Sequence, residues 1–151
     1  MTEASTGTGS PTRRPLPAGP VWQAGLLAAV AATLVNALAW VLLQQVLDAG
    51  LRIPSQPGGT ELTLLPLSAV ITVTLFSTLL GAVLLWLATR RGPSGIRLWA
   101  LLAVAFGALS ALPAFSIDVS TARQLGLVLF HLLATLVALA VVRQKLARWT
   151  G

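Results

Sequence analysis

Four long apolar stretches, each interrupted by a short polar or Pro/Gly-rich segment, set the pattern of this chain. The first runs from Val21 to Leu47, too long for the 7–15-residue core of a cleaved signal peptide. Asp48-Ala49-Gly50 ends it, with Gly50 placed for a left-handed cap. The second begins near Leu62 or Pro66 and reaches Thr89. Arg90-Arg91-Gly92-Pro93 then stops it, with Gly and Pro just past the end. The third covers about Ile96 to Phe115, and Pro113 in its last turn predicts a kink or an early end. The fourth starts at Thr121, where Thr121 and Gln124 have capping-box spacing, and fades near Lys145. A bilayer crossing needs about 20 mainly apolar residues. The expected fold class is therefore all-α: a four-helix transmembrane bundle with helices over about 21–47, 62–89, 96–115 and 121–145, a membrane domain of 21–147.

Composition agrees. The 151 residues are 56% hydrophobic and 9% charged, against about 25% charged in a soluble domain. Residues 1–20 are rich in Thr, Ser, Gly and Pro, and cannot bury enough apolar surface to offset their ordering entropy. They are expected to form a disordered cytoplasmic tail. With no cysteine in the chain, disulfides and thiolate metal sites are excluded.

The net charge is +6, but its placement argues for topology rather than nucleic acid. Arg13, Arg14, Arg90, Arg91, Arg97, Arg143, Lys145 and Arg148 flank the spans on one side; Arg52 and Arg123 alone lie on the other. Short loops rich in Lys and Arg stay in the cytoplasm. Both termini are thus expected inside, in a multi-pass protein of the cytoplasmic membrane of a bacterium. Trp22, Trp86, Trp99 and Trp149 map to the same side, where an indole favours the headgroup layer. The expected surroundings are lipid, with a homo-oligomer or a larger membrane complex as partner, and no nucleic acid.

The chemistry available inside the spans is sparse. His131 is the only ionisable side chain well inside one, eight residues after Arg123, which is roughly 12 Å of helix. Intramembrane ionisable groups are functional-site hypotheses by default. Gln124, His131 and Thr135 share one helical face. Thr33, Asn36, Trp40 and Gln44 share another on the first helix, and Ser68, Thr72, Ser77, Thr78, Ser110 and Ser116 add hydroxyls from the second and third. Polar groups in lipid turn inward and bond across helices. His131, Asn36, Thr72, Thr135, Gln124 and Ser110 are accordingly expected to converge in the bundle centre, His131 near Thr72 or Asn36. Two readings stand: interhelical glue, or a lined path for something small. Ala24, Ala28 and Ala32, and likewise Ala103, Gly107 and Ala111, recur every four residues and predict close helix approach.

There is no phosphate-cradling Gly loop, no HExxH and no nucleophile elbow. No catalytic residue, cofactor or metal is assigned, and an enzyme is not expected. The first span also has no acidic residue of the kind a small multidrug antiporter would want.

Three segments carry a resemblance: Pro66-x-Ser68 with Thr74 and Leu80-Gly81, Ser110-Ala111-Leu112-Pro113, and Leu129-Phe130-His131-Leu132. On these the chain resembles a family of four-helix integral membrane proteins of unknown function, found mainly in actinobacteria, over roughly Ala24 to Val142. The resemblance implies a four-span membrane protein and no activity. The leading expectation is a structural or accessory role within the bilayer. The alternative is a small transporter or channel-like protein using the polar stripe and His131.

Overall fold

The computed structural model describes residues 16–56 and 59–147. Most of them are helical. Helix α1 covers Ala18–Trp40 and runs on into a π-helical stretch, Val41–Val46. Helix α2 covers Leu67–Thr89, α3 covers Pro93–Ala111, and α4 covers Thr121–Leu146. All four are long and apolar enough to cross a membrane. Only 17–22% of each apolar window is buried inside the bundle. Phe76 and Leu101 are 71% and 70% exposed, an outward face suited to hydrocarbon and not to water.

Consecutive helices alternate in direction. Helix α1 packs most extensively on α2 and α4, and α3 closes the ring between those two. Both ends of the described chain therefore lie at one end of the bundle. There Val21, Ala24, Leu85, Trp99, Val142 and Leu146 form a buried cluster drawn from all four helices. A second cluster, with Leu51, Leu65, Val70, Ala114, Leu127 and Phe130, fills the opposite end.

Small residues set the spacing. Ala24, Ala28 and Ala32 are 0–4% exposed, so this stripe faces other helices. At Gly25 a Cβ would stand 2.5 Å from that of Ala82, which brings the α1 and α2 backbones together. The α2–α3 connection is short because Gly92 takes φ 76°, ψ −161°, a region open essentially to glycine. Pro93 then supplies the first residue of α3, where its missing N–H is no loss.

Four features differ from the sequence expectation. The fold is not purely α: Arg52–Pro54 (β1) and Leu62–Leu64 (β2) pair antiparallel, Arg52 opposite Leu64 and Pro54 opposite Leu62. Such a hairpin is marginal alone, and it stands because the bundle end holds it. Second, α3 starts at Pro93 rather than near Ile96; its end at Ala111, passing into a tight 3-10 turn over Leu112–Ser116, is the early stop expected from Pro113. Pro113 has no N–H to continue the ladder. Third, Ser120 rather than Thr121 flanks α4, and no side-chain cap forms. Gln124 Nε2 instead donates to the Ile117 carbonyl at 3.1 Å, which the short connection brings over the helix start and which also accepts from the Val119 N–H at 2.9 Å. Fourth, Trp99 is 5% exposed and donates its indole N–H to the Gly81 carbonyl at 2.8 Å. It is a core residue bridging α3 to α2, not a headgroup anchor. Of the expected disordered tail over 1–20, Ala18, Gly19 and Pro20 belong instead to α1, because Pro20 in the first turn forfeits no intrahelical bond; residues 1–15, with Arg13 and Arg14, lie outside the described residues, as do Arg148 and Trp149.

The close α1–α2 approach predicts a contrast between two glycines. Gly25→Ala should destabilise the detergent-solubilised protein by about 1–3 kcal/mol through overpacking. Gly81→Ala, whose Cβ would have nothing within 4 Å, should stay within about 0.5 kcal/mol. Thermal unfolding of both variants checks this, and equal losses would place the helix contact elsewhere.

Candidate functional site

The polar positions do not converge on one centre. They divide into an amide knot, a histidine pair and a set of pins under the hairpin.

The knot is Asn36, 1% exposed on α1. Its Nδ2 donates to Thr74 Oγ1 of α2 at 3.0 Å and to the Phe130 carbonyl of α4 at 3.1 Å. One side chain thus ties three helices. Its Oδ1 is buried with no partner among the described residues. Thr74, 7% exposed, takes the place the sequence pattern gave to Thr72. Thr72 stands on the exposed face of α2. Counting by fours from Pro66 reaches Val70 and Thr74, both buried, and this is the stripe that faces α1.

His131 lies on the other side of α4, facing α3. Its Nδ1 and Ser110 Oγ are 3.1 Å apart. The Ser110 hydroxyl also reaches the Gly107 carbonyl at 3.0 Å. One hydroxyl proton serves one acceptor; when it goes to Gly107, the imidazole donates from Nδ1. Thr135 donates to the His131 carbonyl at 2.8 Å, and a Cβ at Gly107 would collide with its hydroxyl. Gly107, Ser110, His131 and Thr135 therefore form the α3–α4 contact. Asn36 and Thr72 have no part in it.

The pins occupy the hairpin end. Gln44 grips Leu51 from both sides: Oε1 accepts from its N–H at 2.8 Å, and Nε2 donates to its carbonyl at 3.2 Å. Trp40 Nε1 donates to the Leu65 carbonyl at 2.9 Å. Arg123 Nε donates to the Ala49 carbonyl at 3.2 Å. Leu51, 1% exposed, wedges against Gly126. The π-helical stretch delivers Gln44 to this position, because its wider turn shifts the side chains that follow Trp40. Arg123 was readable from the sequence only as a stray basic residue on the sparsely charged side. Its target is a backbone carbonyl that no side-chain pattern reveals.

The remaining hydroxyls serve their own helices. Thr33 donates to the Ala29 carbonyl at 2.8 Å and Thr78 to that of Thr74 at 2.6 Å, a common solution for Ser and Thr in helices. Among the described residues no group of three His, Cys, Asp or Glu side chains could hold a metal ion.

A family model described as a family of unknown function, DUF6069, matches residues 16–148. The chain belongs to the DUF6069 family. The match takes in all four helices and the hairpin, so the amide knot, the histidine pair and the pins all fall within the DUF6069 region. No curated protein and no solved structure matches the chain.

The knot predicts a measurable coupling. In a double-mutant cycle of Asn36→Ala and Thr74→Val, the coupling energy should be about 0.6 kcal/mol and no more than about 1.7, the range of hydrogen bonds between transmembrane helices. Unfolding of the four proteins in detergent gives the value. A coupling of zero would mean the two side chains do not share a bond.

Proposed function

We propose that this chain is a small four-span protein of a bacterial cytoplasmic membrane, with both termini in the cytoplasm, acting as a structural or accessory component within the bilayer. The observation that carries the reading is how the intramembrane polar groups are used. Asn36 joins α1, α2 and α4, His131 meets Ser110, and Thr33, Thr78 and Thr135 bond back to their own helices. Groups spent on packing do not line a path for a solute. The α1–α2 connection is pinned to the bundle and the other described loops are short, so the exposed surface available for a partner is the apolar face of the helices. Association with a second copy or with a larger membrane complex uses that face.

Orientation is supported by the sorting of charge between the two ends. Arg90, Arg91, Arg97, Arg143 and Lys145 stand at the end where the described chain begins and finishes. Asp48, Glu61 and Asp118 stand at the hairpin end. Reporter fusions within residues 50–60 should read outside and fusions after Arg91 should read cytoplasm; equal signals from both would sink the topology.

The role itself is tested by pulldown from native membranes in mild detergent together with flux measurements in vesicles. The expected results are a co-purifying membrane protein or a second copy, and proton flux no higher than in protein-free vesicles. His131→Gln should then leave membrane yield unchanged, because an amide can replace the ring as donor and acceptor. A proton flux that His131→Gln abolishes, in a protein that still folds, would move the chain to the transporter class.

A further inference from the structure

The end of the bundle where the described chain begins and finishes is basic, and no acidic residue among the described ones stands there. Arg90, Arg91, Arg97, Arg143 and Lys145 are all exposed there. Among the described residues no ion pair neutralises any of them. The aromatic residues mark this level as the headgroup layer. Trp22 of α1 and Trp86 of α2 pack at 6.0 Å between ring centroids. The Arg90 guanidinium lies over the Trp86 ring at 4.1 Å, so its charge is already engaged by an aromatic face.

On the neighbouring side of α1, toward α4, the surface is concave. A depression of about 440 Å³ is lined by Pro20, Gln23, Gln144, Lys145 and Ala147. It lies between the start of α1 and the last turn of α4. The side chains of Gln23, Gln144 and Lys145 make no hydrogen bond to any described residue. Two amides and one ammonium thus face a hollow large enough for a phosphate and its glycerol. The ammonium offers donors only, and each amide can turn its Nε2 donor toward an anion and its Oε1 away. Basic pockets between transmembrane helices on the cytoplasmic side suit anionic lipid headgroups.

The geometry points to a binding site for the phosphate of an anionic phospholipid headgroup in the cleft between α1 and α4, with Lys145 as its charged contact and Gln23 and Gln144 as donors. The lipid is favoured over free phosphate because the cleft opens at the membrane surface, where acyl chains continue down the exposed apolar faces of α1 and α4. Leu26, Val30 and Leu136 are 49%, 53% and 62% exposed on those helices. The inference rests on the membrane reading above.

The test is native mass spectrometry of the full chain, titrated in detergent with phosphatidylglycerol, phosphatidylcholine and inorganic phosphate. Phosphatidylglycerol should bind as a discrete one-lipid adduct, at least several-fold tighter than phosphatidylcholine. A juxtamembrane cation near anionic lipid is worth about 1 kcal/mol. Lys145→Gln should therefore weaken that adduct about fivefold, and adding Gln23→Leu should weaken it further. Arg97→Gln, at the same end but outside the cleft, should leave it unchanged. Equal affinity for the two lipids would overturn the site. So would a loss with Arg97→Gln as large as with Lys145→Gln, because that is unlocalised surface charge. Saturation by inorganic phosphate at the same concentration would overturn the lipid assignment. The membrane reading fails separately, if the chain leaves the membrane fraction in buffer without detergent.

Discussion

A helix in hydrocarbon satisfies its own backbone, but nothing in the hydrocarbon pushes it against its neighbour, since lipid tails are as apolar as leucine. Everything specific about this bundle answers that constraint. Contact between helices has to come from surfaces that fit closely and from the few polar groups that gain a partner inside. The closest fit lies between α1 and α2, where Gly25 meets Ala82. Along the same helix Ala24, Ala28 and Ala32 present a surface with nothing to hold the backbones apart. The residues excluded from these contacts are the large ones: Phe76, Leu101 and Leu38 point outward. In a water-soluble bundle the arrangement would be reversed.

The two ends solve different problems. At the end holding the first and last described residues, four helices close over Trp99, Leu85 and Leu146, and Gly92 lets α2 turn into α3 within a few residues. At the other end the α1–α2 connection is long and must cross the bundle mouth. Its backbone would leave N–H and C=O groups unpaired over the apolar end of the bundle. The hairpin pairs some of them, and Gln44, Trp40 and Arg123 take up the Leu51, Leu65 and Ala49 carbonyls. Buried Leu51 and Leu65 then tie the loop to the apolar cluster beneath it. The connection is thus a lid whose polar bonds and apolar anchors come from the same short stretches.

What could be read from the sequence follows the length scale of each interaction. Four spans, their alternation and the segregation of charge arise from runs of 20 or so residues and are visible as composition. The α1 stripe of Asn36 and Trp40 was visible too, because α-helical periodicity puts them on one face, whereas Gln44 reaches the lid through the π-helical stretch; all three bond inward or to the lid. The second helix was less legible. Ser68, Thr72, Thr74, Ser77 and Thr78 scatter hydroxyls around its circumference, and only packing decides that Thr74 meets Asn36 while Thr72 faces outward. The hairpin escaped because its strands are three residues each and the first ends in Pro54, a pattern that reads as loop until the bundle supplies partners. The Thr121–Gln124 cap was misplaced for a related reason: α4 is flanked by Ser120, and the Gln124 side chain is held by its Nε2 bond to the Ile117 carbonyl, which the preceding 3-10 turn brings close.

Asn36 shows how little polarity is needed to fix such a structure. An asparagine that made no bonds there would expose an amide to the apolar interior at a cost of about 1–3 kcal/mol. With Nδ2 donating twice, only Oδ1 is left without a described partner. Rotating α1 by two residues about its axis, about 200°, would carry the amide away from both Thr74 and the Phe130 carbonyl. The same rotation would replace the Ala24-Ala28-Ala32 face with Leu26, Val30 and Leu34, which are 49–59% exposed as they stand. Close packing and the buried amide therefore favour one and the same rotational setting of α1. Dispersion alone distinguishes neighbouring settings weakly in a chain so rich in alanine and leucine. The amide adds a term that is satisfied in one setting and lost in the others, so the position of α1 against both α2 and α4 turns on a single side chain.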